Sequence, residues 1–313
     1  MILKNVYNED VEIKIVDNEF DANFITHSGT FHADEVMASV ILLNKFGSMN
    51  IYRTSDVKNH NAFIYDVGFG LFDHHQAYFN KTRNNGIKYA SCGLVWERFG
   101  KDIINKLNVP DKDAFFESVD KNLIMDIDRD DNGQALKNEP EIKQQTLPNL
   151  IASFNPAWND VEKESTCFLK AVCFANDVFN NMIKKMKAKE DARKIIEEKI
   201  NESKDGILIL DEYMPWKDIV LQSENEKAKD ILYAVFPSKR GGYNVVATPV
   251  LPGSFDVKKP FPKTWAGRED EELQKISGVE SITFCHKNLF ICACKTFNDA
   301  VKIAKISINN KAD

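Results

Sequence analysis

Four predicted strands in the first 75 residues each end at side chains that can bind a metal ion. Each strand is a short apolar run, and an amphipathic helix over Asp34–Phe46, ended by Gly47, separates the first two. The strands and the side chains that follow them are Asn23–Thr26 with His27, Asn50–Arg53 with Asp56, Ala62–Tyr65 with Asp66, and Gly70–Phe72 with Asp73-His74-His75. Strands that alternate with helices predict an α/β fold with a mostly parallel sheet covered on both faces. Because ligands bind at the carboxyl ends of strands in such sheets, we expect a metal site at this edge.

Two further stretches concentrate side chains of the metal-binding type. The loop after the first strand reads His27-Ser28-Gly29-Thr30-Phe31-His32-Ala33-Asp34-Glu35, and Gly29 permits a tight turn that can aim several side chains at one place. The stretch Asp126–Gly133 follows an apolar helix and is dense in carboxylates, so we expect it to supply a further ligand. By contrast, His60 has no partner pattern, and we interpret it as a surface residue.

The ligand types restrict the chemistry of the site. Imidazole and carboxylate ligands without thiolate favour Mn²⁺, Fe²⁺, Co²⁺ or Zn²⁺ over Ca²⁺ or a structural zinc. About seven candidates are too many for one ion and suit two ions about 3.5–4 Å apart, which clamp the attacking and leaving oxygens of an in-line displacement at phosphorus. A shared hydroxide is the expected nucleophile, with Asp66 as the bridging ligand and His75 free to donate to the developing charge or the leaving group.

Composition limits the alternatives. The 313 residues suffice for two domains, and ordinary shares of hydrophobic (43%) and charged (28%) residues exclude global disorder. A net charge of −6 argues against a dedicated duplex-DNA binder, and residues 1–150, with a net charge of −7, hold five of the six histidines. No apolar run reaches the ~20 residues of a membrane helix, no secretory signal is expected, and the six scattered cysteines indicate reduced thiols in the cytoplasm.

The chain divides into three predicted segments. Residues 1–180 form the expected metal-binding domain, which includes a further helix that begins at Ser91 and ends at Gly100. Residues 181–204 form a charged helical linker, whose charge indicates a solvated face, although a second copy of the chain could also pair there to form a homo-oligomer. Residues 205–313 form a smaller α/β domain. Its predicted strands are Gly206–Leu210, Tyr243–Leu251 and Ser281–Phe284.

The window Pro237–Arg268 is basic and contains interleaved aromatic residues. It holds six basic residues against one acidic residue, together with the aromatic side chains Tyr243, Phe255, Phe261 and Trp265. Basic groups for phosphates and aromatic rings for stacking would suit a short single strand of nucleic acid. The alternative is a basic surface over ordinary core aromatics. We select Arg268, His286 and Lys295 as candidate substrate contacts in this domain.

At these residues the sequence resembles the DHH phosphoesterase superfamily. More closely, it resembles the Myg-type family of metal-dependent hydrolases, which is named for melanocyte proliferating gene one and includes exonucleases. The matching motifs are Thr26–Glu35, Tyr65–Gly68, Phe72–Gln76, Asp128 with Asp131–Gly133, Phe154–Pro156 with Trp158, Pro252–Phe255, and Trp265–Leu273. The resemblance covers nearly the whole chain. It implies a Rossmann-like amino-terminal domain with a two-metal, usually manganese, centre and a smaller carboxy-terminal domain that helps to bind substrate across a cleft.

The resemblance also implies roles for single residues. By motif position, the metal ligands would be His27, His32, Asp34, Asp66, His74 and Asp128. We add His75, Asp73 and Asp131 as catalytic candidates, and Arg53 and Asp56 as further substrate contacts. Mn²⁺ is the expected metal, with Mg²⁺, Co²⁺ or Zn²⁺ as alternatives.

The sequence departs from the family pattern at two places. The family's Arg-Thr-Arg-Asp stretch is Arg53-Thr54-Ser55-Asp56 here, so one basic contact for a phosphate is missing. A Gly-Gly pair expected after Phe290-Ile291 is replaced by Cys292-Ala293-Cys294, and the added side chains limit how closely backbone amides approach a phosphate. We interpret both cysteines as packed thiols.

The resulting expectation is a cytoplasmic phosphodiesterase that requires Mn²⁺. It would act as a 3′–5′ exonuclease-like hydrolase on single-stranded RNA or short oligonucleotides. The first alternative is a hydrolase of a small phosphate ester or anhydride, such as a nucleotide bisphosphate or pyrophosphate, which the net acidity and the lost arginine favour. The second alternative is a non-catalytic RNA-binding module.

Overall fold

The chain folds into two compact units, each with its own five-stranded sheet. The structure is a computed structural model, and it describes residues 1–134 and 144–310. The units are Met1–Lys187 and Ala188–Asp313. The α/β class predicted from the alternation of strands and helices is confirmed.

The sheet of the first unit is mostly parallel. Its strands are β1 (Ile2–Lys4), β2 (Asp10–Ile15), β3 (Phe24–Thr26), β4 (Ser48–Arg53) and β5 (Phe63–Ile64). In the order β1-β2-β4-β3-β5, the β1-β2 pair is antiparallel and the other three pairs are parallel. Because β3 and β5 pair in parallel, with Phe24 opposite Phe63, their carboxyl ends open onto the same edge of the sheet.

One helix of the first unit is buried along most of its length. The helices of this unit are α1 (Ala33–Phe46), α2 (Ser91–Asn105), α3 (Lys112–Val119), α4 (Met125–Asp131), α5 (Leu147–Ala152) and the first part of α6 (Glu164–Glu202), with a π-helical turn at Asp120–Ile124. α1 is buried from Ala33 to Asn44, where it packs against α2, β2 and β4. Its nearly continuous apolar run from Val36 to Leu43 is typical of a helix enclosed on all sides.

The predicted fourth strand, Gly70–Phe72, is wrong. These residues form turns, because the backbone from Asp66 to Asp73 folds back on itself. The N–H of Asp66 donates to the carbonyl oxygen of Phe72 at 2.9 Å, and the N–H of Asp73 donates to that of Gly70 at 3.3 Å. The carbonyl groups that would join a sheet are therefore used within the loop.

The predicted end of a helix at Gly100 is also wrong, since α2 continues to Asn105. A Cβ atom at Gly100 would lie 2.6 Å from the Trp96 ring and 2.8 Å from the Phe116 ring. The two rings stack with their centroids 5.2 Å apart. The glycine therefore makes room for this packing instead of ending the helix.

The second unit has a mixed sheet between two hydrophobic cores. Its strands, in the order β6-β7-β8-β10-β9, are β6 (Ile207–Ile209), β7 (Tyr233–Pro237), β8 (Tyr243–Ala247), β9 (Ile282–Cys285) and β10 (Ile291–Cys294). Its helices are the rest of α6, α7 (Trp216–Gln222), α8 (Glu226–Asp230), α9 (Asp270–Ser277) and α10 (Phe297–Asn309). Val245 packs in the core that contains Ile303 of α10, whereas the next residue, Val246, packs in the core that contains Trp216 of α7. This alternation is what a strand covered on both faces requires.

Helix α6 runs through most of the segment 181–204 that was predicted as a linker. Ile183 belongs to the core of the first unit, whereas Ile196 and Ile200 belong to a core of the second. The segment therefore carries buried apolar residues among its charges. The catalytic, linker and substrate-binding roles of the three predicted segments stay predictions. Within residues 1–134 and 144–310, no helix combines the length and the apolarity needed to cross a membrane.

Candidate metal centre

The carboxyl ends of β3 and β5 bring His27 and Asp66 together. His27 follows β3 directly, and Asp66 follows β5 after one residue. His27 Nε2 lies 3.3 Å from Asp66 Oδ2. Arg53, at the end of β4, holds the loop that follows β3. Its Nε donates to the carbonyl oxygen of His27 at 3.0 Å, and its Nη2 donates to that of Gly29 at 3.2 Å.

Asp66 lies at the centre of the site, and its two oxygens face different groups. Oδ2 faces His27, whereas Oδ1 lies 3.6 Å from His74 Nδ1 and 3.5 Å from His75 Nδ1. The hydroxyl of Ser91 donates to Oδ1 at 3.0 Å. The carboxylate is buried, and the φ of Asp66 is +56°, in the left-handed region that residues other than glycine adopt infrequently. A carboxylate with this placement can bridge two ions.

Three groups of side chains each bring their donor atoms within 4.8 Å of one another. These groups are Asp66 with Asp73, His74 and His75; His27 with His32 and Glu35; and Asp34 with His74 and Asp131. The groups are connected, because His74 belongs to two of them and Asp66 contacts His27 of the third. Residues that are distant along the chain therefore meet at one edge of the first sheet.

Glu35 also belongs to the site, although it is absent from the ligand set expected from the sequence. Its Oε1 lies 2.8 Å from His27 Nε2 and 3.6 Å from Arg53 Nη2, and the side chain is fully buried. Its Oε2 accepts the N–H of His32 at 2.9 Å, as a residue in the first turn of α1 can when it caps the helix. Burial raises the pKa of Glu35, while the hydrogen bond with His27 lowers it. The sequence signal was its place directly after Asp34 in the first loop motif.

The neighbours of His27 change its protonation. Burial lowers the pKa of His27, but the hydrogen bonds to Asp66 and Glu35 outweigh burial and raise it to about 10. In the protein without metal, the imidazole therefore carries a proton between two buried carboxylates. A metal ligand must be a neutral imidazole, so a cation bound here would displace that proton.

The amino terminus of α2 holds the carboxylate of Asp34. Asp34 Oδ2 accepts the N–H of Ser91 at 3.0 Å, and Oδ1 accepts that of Cys92 at 2.6 Å. Free N–H groups at a helix start favour negative charge. Burial nevertheless raises the pKa of Asp34, and the nearby charge of Asp66 adds to this. Ser91 was predicted only as a helix start, yet its hydroxyl also lies 3.3 Å from His74 Nδ1.

The structure places Asp131, and not Asp128, in contact with His74. Asp131 Oδ2 lies 2.9 Å from His74 Nε2. Asp128, one turn earlier on α4, accepts the N–H of Gly93 at 2.9 Å and pairs with Arg83 Nη1 at 2.7 Å. Burial raises the pKa of Asp128 to about 7, against the opposing effect of Arg83. Asp128 shares a further group with Asp34 and Cys92, and its role as a metal ligand stays a prediction.

Asp73 orients His75. Asp73 Oδ1 accepts the N–H of His75 at 3.0 Å and lies 2.8 Å from its Nδ1, while Oδ2 accepts the N–H of Phe69 at 2.7 Å. Burial acts to raise the pKa of Asp73, but the hydrogen bonds from His75 and Phe69 lower it overall. The bond with Asp73 raises the pKa of His75, which is largely exposed. This arrangement leaves Nε2 as the nitrogen available to a substrate.

The two substrate contacts expected at the end of β4 are not members of the three groups, although Arg53 Nη2 lies 3.6 Å from Glu35 Oε1. The Arg53 side chain is only 5% exposed, pairs with Glu164 and lies over the Phe168 ring at 4.3 Å. It therefore holds the loop after β3 instead of facing solvent. Asp56 is exposed and lies 3.7 Å from Lys58. The substrate-binding roles of both residues stay predictions.

The candidate contacts of the second unit make mostly local interactions. Arg268 pairs with Glu272 and donates from Nε to the carbonyl oxygen of Thr264 at 2.7 Å. His286 Nδ1 accepts the N–H of Asn288 at 3.1 Å. Lys295 lines a cavity of about 440 Å³. Their roles stay predictions.

The aromatic residues of the basic window are divided between core and surface. Phe261 and Trp265 are buried in the core beside α10, which supports the interpretation of these two as ordinary core aromatics. Phe255, in contrast, is exposed. Cys292 and Cys294 are buried and free, so the prediction of packed thiols is confirmed.

The donor set of the first unit fits divalent cations. The carboxylates of Asp34, Glu35, Asp66 and Asp73 are all buried, and burying anions is costly unless a cation or hydrogen bonds compensate. One imidazole faces two of these carboxylates, since His27 Nε2 lies 2.8 Å from Glu35 Oε1 and 3.3 Å from Asp66 Oδ2. Imidazole and carboxylate together suit Mn²⁺, Fe²⁺, Co²⁺ and Zn²⁺.

Comparison with known proteins finds a family and relatives that match most of the chain. A family model named for MYG1 exonuclease, and described as an uncharacterised protein family (UPF0160), matches residues 23–308. A MYG1 protein of Schizosaccharomyces pombe is 32% identical over 317 residues, which cover 91% of this chain and 96% of that protein. A MYG1 protein of Dictyostelium discoideum is 31% identical over 319 residues, covering 92% and 97%. The MYG1 exonuclease of Homo sapiens is 26% identical over 322 residues, covering 92% and 86%. No solved structure gives a significant match.

Proposed function

Because the chain belongs to the MYG1 family (UPF0160), we propose that it is a metal-dependent phosphodiester hydrolase of the DHH type. We propose that it acts as an exonuclease on single-stranded RNA or short oligonucleotides. Relatives named MYG1 exonuclease support the nuclease class. The observation that carries the proposal is the placement of Asp66, whose two oxygens face separate groups of ligands.

Seven side chains are proposed to hold the metal. They are His27, His32, Asp34, Asp66, His74 and Asp131, with Glu35 beside His27. Asp128, the ligand predicted from the sequence, is the alternative to Asp131. When bound, two ions would supply a hydroxide at neutral pH and neutralise charge on the phosphate. We propose Mn²⁺, because it accepts both carboxylate and imidazole ligands, with Mg²⁺, Co²⁺ or Zn²⁺ as alternatives.

His75 is proposed as the group that donates a proton to the leaving oxygen. Its Nδ1 is held by Asp73, which fixes the ring and supports its protonated form. Because Asp73 occupies Nδ1, the proton on Nε2 is the one that a leaving alkoxide could take. Asp73 is a positioning residue in this scheme, since it acts through His75.

The test is hydrolysis by the purified protein with Mn²⁺ and a short single-stranded RNA. The wild type should release mononucleotides, and Asp66→Asn should lower the rate by at least about a hundredfold. Asp113→Asn, which alters an exposed carboxylate paired with Lys101, is the matched control and should keep the rate. An undiminished rate in Asp66→Asn contradicts the assignment of the centre.

A small phosphate ester or anhydride is the second candidate substrate. The burial of Arg53 and its pairing with Glu35 and Glu164 favour a small substrate. The Arg53 guanidinium is then not free to bind the phosphates of a polymer backbone. Turnover of RNA, pyrophosphate and a nucleotide bisphosphate should be measured side by side. Faster turnover of either small phosphate would favour this candidate over the exonuclease.

The cellular location and the assembly are also proposals. The six cysteines are free, which suits a reducing compartment such as the cytoplasm. A homo-oligomer remains a prediction from the charged part of α6.

A further inference from the structure

Three large apolar side chains are exposed on the loop that carries His74 and His75. Phe69 is 68% exposed, Leu71 88% and Tyr78 81%, and we call them the apolar rim. Single exposed apolar residues are common on protein surfaces and need no explanation. These three lie within ten residues of chain and flank the Asp73-His74-His75 stretch of the candidate centre on both sides.

Phe69 is in a conformation that its own side chain disfavours. Its φ is +55°, within the left-handed region that glycine adopts freely and a bulky residue enters at a cost of about 1–3 kcal/mol. Burial does not offset this cost, because the ring is exposed. Neither backbone preference nor core packing therefore accounts for a phenylalanine here, and a ligand for the ring would.

Hydrogen bonds tie the apolar rim to the candidate centre. Asp73 accepts the N–H of Phe69 at 2.7 Å through one oxygen and lies 2.8 Å from His75 Nδ1 through the other. Gln76 Nε2 donates to the carbonyl oxygen of Gly70 at 2.7 Å, which joins the turn before Asp73 to the turn that leads to Tyr78. The rim is thus held at a fixed position relative to the proposed proton donor.

We infer that the apolar rim stacks against a nucleobase of the nucleotide next to the scissile phosphate. The inference rests on the proposed function and deepens it, because it requires a substrate that carries a base. A phenyl ring offers nothing to an inorganic phosphate, whereas every nucleobase has a π-face that an aromatic ring can stack on. Stacking also tolerates any sequence, as an exonuclease requires.

The test compares two substrates of equal charge. One is a short single-stranded RNA, and the other is the same oligomer with abasic sugars at both ends, each assayed with Mn²⁺. A stacked base is worth about a 5- to 150-fold change in affinity, so the wild type should have a KM for RNA lower than that for the abasic oligomer by this factor. In Phe69→Ala the KM for RNA should rise until it is close to the KM for the abasic oligomer. Leu71→Ala should also reduce the difference between the two KM values. Phe69→Trp should restore the difference.

Phe20→Ala is the matched control, since Phe20 is 70% exposed in the same unit and lies in the 3-10 turn Glu19–Asp21. It should leave both KM values unchanged. An unaltered preference for RNA in Phe69→Ala overturns the inference. A change of molecular mass in solution for Phe69→Ala also overturns it, because the rim would then be a contact between copies. If the wild type hydrolyses neither oligomer, the proposed function itself fails; hydrolysis by the wild type with no effect of the rim variants refutes the stacking inference alone.

Discussion

Replacing Gly93 with alanine should disrupt the start of α2, which anchors the Asp34 carboxylate. A Cβ atom at this position would lie 1.9 Å from Asp128 Oδ2 and 2.9 Å from Arg83 Nη2. Both distances are shorter than real Cβ contacts. Asp128 cannot yield easily, because it is fully buried and pairs with Arg83 at 2.7 Å.

The expected loss of stability is large and has the opposite sign to the usual effect. Glycine to alanine inside a helix ordinarily stabilises by about 1 kcal/mol. Here overpacking costs about 1–3 kcal/mol, and separating a buried ion pair costs about 3–5 kcal/mol if Asp128 leaves Arg83. Set against the ordinary gain of about 1 kcal/mol, the two costs together are expected to lower the free energy of unfolding of Gly93→Ala by about 3–7 kcal/mol.

Urea unfolding of the metal-free protein, followed by circular dichroism, measures this change. Gly70→Ala is the control, because a Cβ atom there would meet nothing within 4 Å and the glycine does not have a positive φ. If the free energy of unfolding of Gly93→Ala equals or exceeds that of the wild type, the expected clash is absent. Asp128 is then not fixed against α2.

Three further predictions concern the centre and the thiols. Ser91→Ala should weaken Mn²⁺ binding, measured by calorimetry, about 10- to 100-fold, because it removes the hydroxyl that orients Asp66 Oδ1. Unchanged affinity for Mn²⁺ would show that Ser91 does not act through Asp66. Hydrogen bonds to Asp66 and Glu35 raise the pKa of His27 to about 10, so Mn²⁺ binding at pH 8 should release a proton and should strengthen as the pH rises toward 10. Calorimetry in buffers of different ionisation enthalpy detects the released proton. Identical heats of binding in all buffers would contradict this prediction. In native protein only the partly exposed Cys173 should react readily with a thiol reagent, and all six cysteines should react after unfolding; rapid native reaction of more thiols would contradict the burial.

The strand pattern was enough to predict the edge on which the candidate centre lies. His27 and Asp66 follow neighbouring parallel strands, and parallel strands end on the same side of a sheet. The loop from His27 to Glu35 could be recognised for the same reason, because it leads from β3 into α1. These inferences need only local periodicity and the geometry of α/β folds.

The remaining features depend on partners that are distant along the chain. The sequence did not indicate that Glu164, 111 residues away, pairs with Arg53. Asp128 and Asp131 are the same residue type one turn apart, and the position of Arg83 shows that Asp128 is the one that pairs with an arginine. The loop Gly70–Phe72 has the apolar residues of a strand, but hydrogen bonds between its own ends fold it into turns. No local pattern encodes these contacts.

If Asp66 holds two ions, as proposed, the stoichiometry and the magnetic coupling of bound Mn²⁺ will show it. Metal analysis combined with electron paramagnetic resonance of the loaded protein should give two Mn²⁺ per chain with a spin-coupled spectrum. Asp66→Ala should lose the coupling, whereas Asp113→Asn should keep it. A single Mn²⁺ per chain, or two ions with uncoupled spectra in the wild type, would contradict the account.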